Sequence, residues 1–330
     1  MKTAFIFGGS GYIAYFLVSK LIEEQIFDKI ILLDIQKPKY FKNIPSNVEY
    51  LQCDVRNKID FTITDTIDNN GSWIYNFAAV HREPGHERKE YFDTNINGAE
   101  HINEFAERLG IKNIFFTSSI APYGKSKEVC TEDSMVYAET PYGISKGLAE
   151  KIHQIWLAKG KDRKLIIVRP SVIYGPHDPG NIYRTIKALK SGTFMLPNGG
   201  KITKAYGYVY GLVESMLFTM NQADKFIVYN YAENPILDLK DMTDVIKKEF
   251  GYTKPTFSVP VNFLVFVAGI LQIGFKIIGK KSDIHPVRVR KAAFPTNIKP
   301  NYLIEKGFVF RYGLEESLKH WKSVAPEDFK

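Results

Sequence analysis

Tyr142 and Lys146 stand at i and i+4 in the run Pro141-Tyr142-Gly143-Ile144-Ser145-Lys146. If that run opens a helix, the phenol and the ammonium share one face. An ammonium beside a phenol favours the phenolate, so the pair reads as a proton-transfer device with a tyrosine pKa drawn down toward working pH. Thr117-Ser118-Ser119 closes an earlier apolar run and offers a hydroxyl, Ser119, to hold a reacting oxygen. Alone, Tyr-x-x-x-Lys is more often a surface pair than a catalytic one. Its place on the helix that follows a Ser-rich strand end is what gives it weight.

A second group could hold a cofactor. Phe5-Ile6-Phe7-Gly8-Gly9-Ser10-Gly11-Tyr12-Ile13-Ala14 reads as strand, glycine turn, helix. Glycines permit the tight turn and let backbone N–H groups of the turn and of Tyr12 and Ile13 approach a pyrophosphate. Ala14 takes the place of a third glycine. Lys29-Ile30-Ile31-Leu32-Leu33-Asp34 supplies a second strand that ends on an acid, where a dinucleotide site needs an acceptor for ribose hydroxyls. Asp34 would repel a 2′-phosphate, so NAD is expected, with Lys37 nearby keeping NADP as the alternative. Asp54-Val55 follows the third strand, and Asp54 can accept from an adenine amino group or cap a helix. Ala78-Ala79 follows the fourth, small enough for close approach of the cofactor. His81, Arg82 and His86 cluster just beyond; His81 is a substrate contact or a loop histidine with only structural hydrogen bonds. No His/Cys/Asp spacing matches a metal site, so no metal is expected.

The elements that must position these groups alternate strand and helix. Strands are predicted over 2–7, 29–34, 48–53, 73–77, 113–117 and 164–168, with helices over 12–24, 57–68, 87–109 and 141–159. That order predicts an α/β fold of Rossmann type, a doubly wound parallel sheet. Residues 1–175 form the cofactor-binding domain. Residues 176–330 form mainly a smaller substrate-binding part, with a segment near 202–232 returning to the first domain. The chain has 330 residues and a net charge of +8. No Lys/Arg run is long enough for a nucleic-acid stripe, so the charge reads as a basic surface or a cleft for a diphosphate. Cys53 and Cys130 imply no disulfide framework. The N-terminal strand reads as excluding a cleavable signal peptide, and the protein is read as cytoplasmic. The apolar run Phe263–Phe275, followed by Lys276, Lys280 and Lys281, is too short and interrupted for a comfortable span. A buried or subunit-facing helix is the expectation, ahead of peripheral membrane contact through 261–281.

With these residues in place, the chain resembles the extended short-chain dehydrogenases, the epimerase, dehydratase and ketoreductase enzymes of nucleotide sugars. The landmarks are the glycine turn, Asp34, Asp54-Val55, Asn76-Phe77-Ala78-Ala79 and Asn95-Ile96-Asn97-Gly98. Ser118-Ser119 with Tyr123-Gly124, Tyr142 to Lys146, and Arg169-Pro170 with Tyr174-Gly175-Pro176 complete the set. The resemblance implies that Ser119 and Tyr142 hydrogen-bond the sugar oxygen, that Tyr142 is the general acid/base, and that Lys146 holds the nicotinamide ribose. It places Asn95 and Pro170 beside the cofactor. It places Ser118, His177, Asn181, Lys204 and Arg290, with Arg288 a further candidate, toward the substrate. It also implies a homodimer through a four-helix bundle, with Ile102, Phe105, Ala106 and Leu109 facing Leu148, Ile152, Ile155 and Trp156. Three departures narrow the reaction. Ile120-Ala121 stand where family dehydratases carry an Asp-Glu pair. Arg169-Pro170-Ser171-Val172 lacks the Phe-Asn usual in 4-epimerases. Lys204-Ala205 stand for a usual Arg-Asp. These favour a 4-ketoreductase of a 4-keto-6-deoxy nucleotide sugar, with a nucleotide-sugar 4-epimerase as the alternative. A sterol-type alcohol dehydrogenase and a non-catalytic nucleotide sensor stand further back.

Overall fold

In the computed structural model, the described residues are 1–330 except 42, 84, 179, 278–285, 287–288 and 291–292. Seven parallel strands form the central sheet in the order β10-β6-β5-β4-β1-β2-β3. They are β1 (Thr3–Phe7), β2 (Lys29–Asp34), β3 (Val48–Gln52), β4 (Trp73–Asn76), β5 (Asn113–Thr117), β6 (Lys164–Pro170) and β10 (Phe226–Tyr231). Short pairs β7 (Val172–Tyr174) with β9 (Tyr206–Tyr208), and β8 (Met195–Pro197) with β11 (Phe257–Val259), lie outside it. β1 and β5 are buried along their whole length, which is why both read as continuous apolar runs.

Register places the functional segments. Phe7 pairs with Leu33 on one side and Asn76 on the other, so Gly8, Asp34 and Phe77 leave the sheet together. Phe116 pairs with Asn76 and Ile167, which puts Ser118 and Ser119 beside them. The order reverses between β1 and β4, and ligands of doubly wound sheets bind at the carboxyl ends of the strands at such a point.

Both faces are covered. One apolar layer joins α1 (Tyr12–Glu23) and α6 (Val209–Met220) to the sheet through Leu17, Leu21, Leu212 and Met216. The other joins α3 (Gly98–Leu109) and α4 (Pro141–Ala158) through Ile102, Phe105, Ala149 and Trp156. A third cluster, centred on Tyr174, Tyr208, Leu318 and Trp321, fills the smaller lobe with α5 (Asn181–Ser191) and α7 (Leu239–Phe250).

The structure corrects the sequence reading in several places. Residues 57–68 form no helix. Ile59, Phe61 and Ile63 alternate at period two and pack on the second layer, and β-branched Ile and Thr dominate the stretch, which favours extended chain. The helix expected over 87–109 is α2 (Arg88–Phe92), a π-helical turn (Asp93–Asn97) and α3. Ile102, Phe105, Ala106 and Trp156 face the molecule's own sheet, not a partner; Leu148 and Ile155 are the large apolar side chains that α4 leaves exposed. The apolar run lies in α8 (Val261–Ile277), and it is not a buried helix: Phe263, Phe266, Ile270 and Ile273 are exposed.

Candidate active site

The glycine turn is closed by Gly11 N–H donating to the Gly8 carbonyl at 3.0 Å. Gly8 has φ +75°, and a Cβ there would meet the Ala78 backbone nitrogen at 2.6 Å. Only glycine lets β1 and the β4 loop approach so closely. α1 then begins at Gly11 with no capping side chain and no acid in its first turn, so its N-terminal N–H groups keep their affinity for an anion. Asp34 faces this turn. Its Oδ2 accepts from Ser10 N–H at 3.1 Å and its Oδ1 from Gln36 N–H at 3.0 Å. The Tyr12 hydroxyl is buried without a hydrogen bond among the described residues, and Ile13 is half-buried. A glycine cradle, an uncapped helix end and an acid at the second strand fit a dinucleotide. Asp54 is less free than the sequence suggests. Arg56 binds both its oxygens, the closest contact 2.6 Å, and holds the carboxyl below its usual range.

The reacting groups come from β5, the 3-10 turn Ala121–Tyr123 and α4. Thr140 caps α4, its Oγ1 accepting from Gly143 N–H at 3.2 Å. A Cβ on Gly143 would meet the Ala121 carbonyl at 2.7 Å, so glycine lets the helix start beneath the Ser119 turn. Ser119 Oγ accepts from Ala121 N–H at 3.1 Å, and its side chain lies close enough to Tyr142 to draw the phenol's pKa down. Lys146 lies one turn on, its ammonium 4.3 Å from the Phe116 ring centre with no hydrogen bond among the described residues.

Electrostatics correct one expectation. Tyr142 is not lowered by Lys146. Burial raises it, the Ser119 side chain pulls it down, and Glu83 and Tyr91 push it up further. Lys146 is itself buried, and desolvation lowers it to about 7, with Glu150 acting the other way. A lysine only about half charged at neutral pH does less than a full ammonium to ionise a neighbouring phenol.

Asn95 sits in the π turn, a local widening often found at functional sites. Its Oδ1 accepts from Val80 N–H at 3.0 Å; its Nδ2 donates to the Val80 carbonyl and to Ser145 Oγ. Ser145 in turn donates to the Tyr142 carbonyl at 2.9 Å. Asn95 therefore clasps the β4 loop, with Ala78 and Ala79, to the helix of Tyr142. Ser145 was not singled out from the sequence. A serine three residues past the tyrosine, together with Asn95 in the preceding helix, was the available signal.

The expected substrate residues separate. Ser118 is corrected: it is buried, and its hydroxyl donates to Glu150 Oε1 at 2.5 Å. Glu150 also takes two hydrogen bonds from Arg169, which reaches Tyr123; Tyr123 donates to Asn230. That network was missed, although an acid on an apolar helix stripe and an arginine inside the run Leu165–Pro170 both marked it. Pro170 ends β6, its carbonyl accepting from Ile120 N–H. His81 is exposed beyond Val80, and His86 is engaged by Glu90 at 3.2 Å. His177, with φ +65°, donates its backbone N–H to Asp328, and Asn181 begins α5 exposed. Lys204 is buried, not exposed: it donates to the Phe294 carbonyl, lines a small cavity with Tyr206 and Glu233, and is lowered to about 8 by burial. Arg290 is exposed; Arg288 lies outside the described residues.

A model described as the NAD dependent epimerase/dehydratase family matches residues 4–232. The N-acetyl-alpha-D-glucosaminyl-diphospho-ditrans,octacis-undecaprenol 4-epimerase of Escherichia coli O157:H7 is 30% identical over 95% of this chain and 92% of that protein. Short-chain dehydrogenase/reductase family 42E member 1 of Xenopus laevis is 21% identical over 92% of this chain and 82% of its own. Among solved structures, MoeE5 in complex with UDP-glucose and NAD superposes with a TM-score of 0.72 at 16% identity, covering 99% and 100% of the two chains. The UDP-glucose 4-epimerase of Thermotoga maritima gives 0.72 at 18% identity, with the same coverage. At those identities the likeness speaks for the fold.

Proposed function

The chain belongs to the NAD dependent epimerase/dehydratase family, and from that premise we propose that it inverts C4 of a sugar carried on a diphosphate. The observation that carries this reading is Ser119 beside Tyr142 at the carboxyl edge of β5, with buried Lys146 one turn along α4. Full-length similarity to a 4-epimerase whose substrate is a sugar on a diphosphate favours inversion over one-way reduction.

When bound, NAD supplies a reversible hydride acceptor for the carbon that bears the reacting hydroxyl. The turn Gly8–Gly11 and the start of α1 would hold its pyrophosphate, Asp34 its ribose, and Lys146 the ribose next to the nicotinamide. Tyr142, once ionised, takes the C4 hydroxyl proton and returns it to the oxygen of the inverted product. Ser119 holds that oxygen as its charge changes. Asn95 and Ser145 fix the backbone of Tyr142, so the phenol need not be reordered in each half-reaction. Ile120 and Ala121 give the pair no acid or base for expelling water, so elimination is not part of the cycle.

The test is an assay of the NAD-loaded protein with N-acetylglucosamine linked to uridine diphosphate and, separately, to a short polyprenyl diphosphate. C4 inversion with no net change in NADH absorbance is expected. Stoichiometric consumption of reduced cofactor on a 4-keto-6-deoxy nucleotide sugar, without inversion of either hexose, would establish the 4-ketoreductase instead.

A further inference from the structure

α8 carries large apolar side chains that stay exposed among the described residues. Phe263, Phe266, Ile270 and Ile273 are 56%, 65%, 54% and 62% exposed. Their spacing of three, four and three puts them on one helix face. The strand leading into α8 through Pro260 adds exposed Phe257, paired across β11–β8 with exposed Met195. Ala268 is buried, so the opposite side of the helix is the one held by the protein.

Charge accompanies the apolar face. α8 has no acidic residue before Lys276, and the sequence from there to Lys291 holds Lys276, Lys280, Lys281, Arg288, Arg290 and Lys291 against a single acid, Asp283. The 17 described residues of α8 span roughly 26 Å, short of the roughly 30 Å hydrocarbon core of a bilayer. Among the described residues no helix is long and apolar enough to cross a membrane. An apolar helix face followed in sequence by a basic stretch is the pattern of a helix lying in the plane of an anionic surface. A second copy fits the patch less well than an anionic surface, because it would bring a second basic stretch and no compensating acids in its own α8.

The chain leaving this region returns to the lobe that holds Lys204. Thr296 N–H donates to the Thr203 carbonyl at 3.0 Å, Ala205 N–H donates to Thr296 Oγ1 at 2.9 Å, and Lys204 donates to Phe294. We propose that α8 lays its apolar face into an anionic membrane surface, so that the sugar presented to the cleft is one whose diphosphate is anchored there by a lipid chain. The substrate half of this statement rests on the reaction proposed above; the membrane half does not.

The experiment sediments the NAD-loaded full chain with vesicles of phosphatidylcholine alone and of three parts phosphatidylcholine to one part phosphatidylglycerol. The wild type should pellet with the anionic vesicles and much less with the neutral ones. The double variant Phe266→Glu, Ile273→Glu should bind them roughly tenfold or more weakly, since each change removes an apolar side chain from the lipid. It should keep its melting temperature and its turnover of the uridine-linked sugar, and lose turnover of a polyprenyl-linked sugar held in the vesicles. Wild type left in the supernatant, undiminished binding by the variant, or a halved mass of the variant by light scattering would each overturn docking. Vesicle binding without turnover of either sugar supports docking and strikes the reaction reading instead.

Discussion

Helix α4 carries two polar clusters a turn apart, and they are built on opposite terms. At the front stand Tyr142 and Lys146; behind them stand Glu150 and His153. Lys146, Glu150 and His153 are 1%, 2% and 0% exposed. The rear cluster is fully met from inside the protein. Glu150 accepts from Ser118 and twice from Arg169. His153 lies between Asn103 Oδ1 at 2.7 Å and Asn76 Nδ2 at 3.0 Å, so its proton sits on Nδ1 and Nε2 accepts. Burial, helped by Lys146, lowers it to about 3 and keeps the ring neutral. Lys146, equally buried, has an aromatic face and no hydrogen bond among the described residues. Satisfied networks fix one geometry; unmet polar groups are costly unless a ligand meets them. The rear therefore anchors the helix, and the front waits for cofactor and sugar.

The sharpest way to separate the two is Tyr142→Phe. Turnover should fall by a factor on the order of 10² to 10⁴, with NAD affinity and melting temperature nearly unchanged, because a proton donor is lost and little shape with it. Turnover near wild type in a stopped assay would remove Tyr142 from the chemistry.

Arg169→Met should do the reverse. It leaves Glu150 buried and unpaired, at a cost of about 3–5 kcal/mol in denaturant unfolding. Adding Glu150→Gln should recover part of that loss. A loss well under 1 kcal/mol would mean that the rear network is not what holds α4.

Lys146→Met should abolish turnover yet stabilise the cofactor-free protein by about 1–4 kcal/mol, since a desolvated charge is replaced by a thioether of similar length. The sign of the pH dependence follows from the lowered pKa. Between about 7 and the ordinary 10.5 the unfolded chain binds a proton that the folded one does not, so this lysine's contribution to stability rises as pH rises through that window. The methionine variant should lack this slope. Saturating NAD should raise the wild-type melting temperature more than the variant's.

His153→Gln should show the smallest effect, visible only in acid. The folded ring stays neutral down to about 3, whereas the unfolded one protonates near 6.5. Stability is thus lost as pH falls below 6.5, by roughly 2 kcal/mol at pH 5. Melting curves at pH 7 and pH 5 should draw closer together in the variant. An unchanged gap would place the acid sensitivity elsewhere.

What was legible in the sequence was what local chain order encodes. The glycine turn between β1 and α1, Asp34 at the end of β2, and Tyr142 with Lys146 on one helix face each follow from short-range spacing, and the structure has those elements where the spacing puts them. Where the reading failed, a distant partner decided. The stretch 57–68 was given a helical period, but its alternate side chains Ile59, Phe61 and Ile63 cover the sheet as extended chain. Ser118 and Ser119 are equivalent in sequence; one turns inward to Glu150 and the other toward Tyr142. Phe105 and Phe266 both lie on helices, yet one is buried in the sheet layer and the other faces outward.

The sequence by itself determined the fold class, the glycine turn and the placing of Ser119, Tyr142 and Lys146, because a glycine's dihedral freedom, a strand's period of two and a helix's i, i+4 register act over a few residues. Tertiary structure alone decided which polar groups are spent on the scaffold and which are left for a ligand. Burial sets that division: a lysine in a solvated helix keeps its proton, and the same lysine under Phe116 holds it only to about 7. Desolvation depends on everything packed around a group, and no window of sequence contains that.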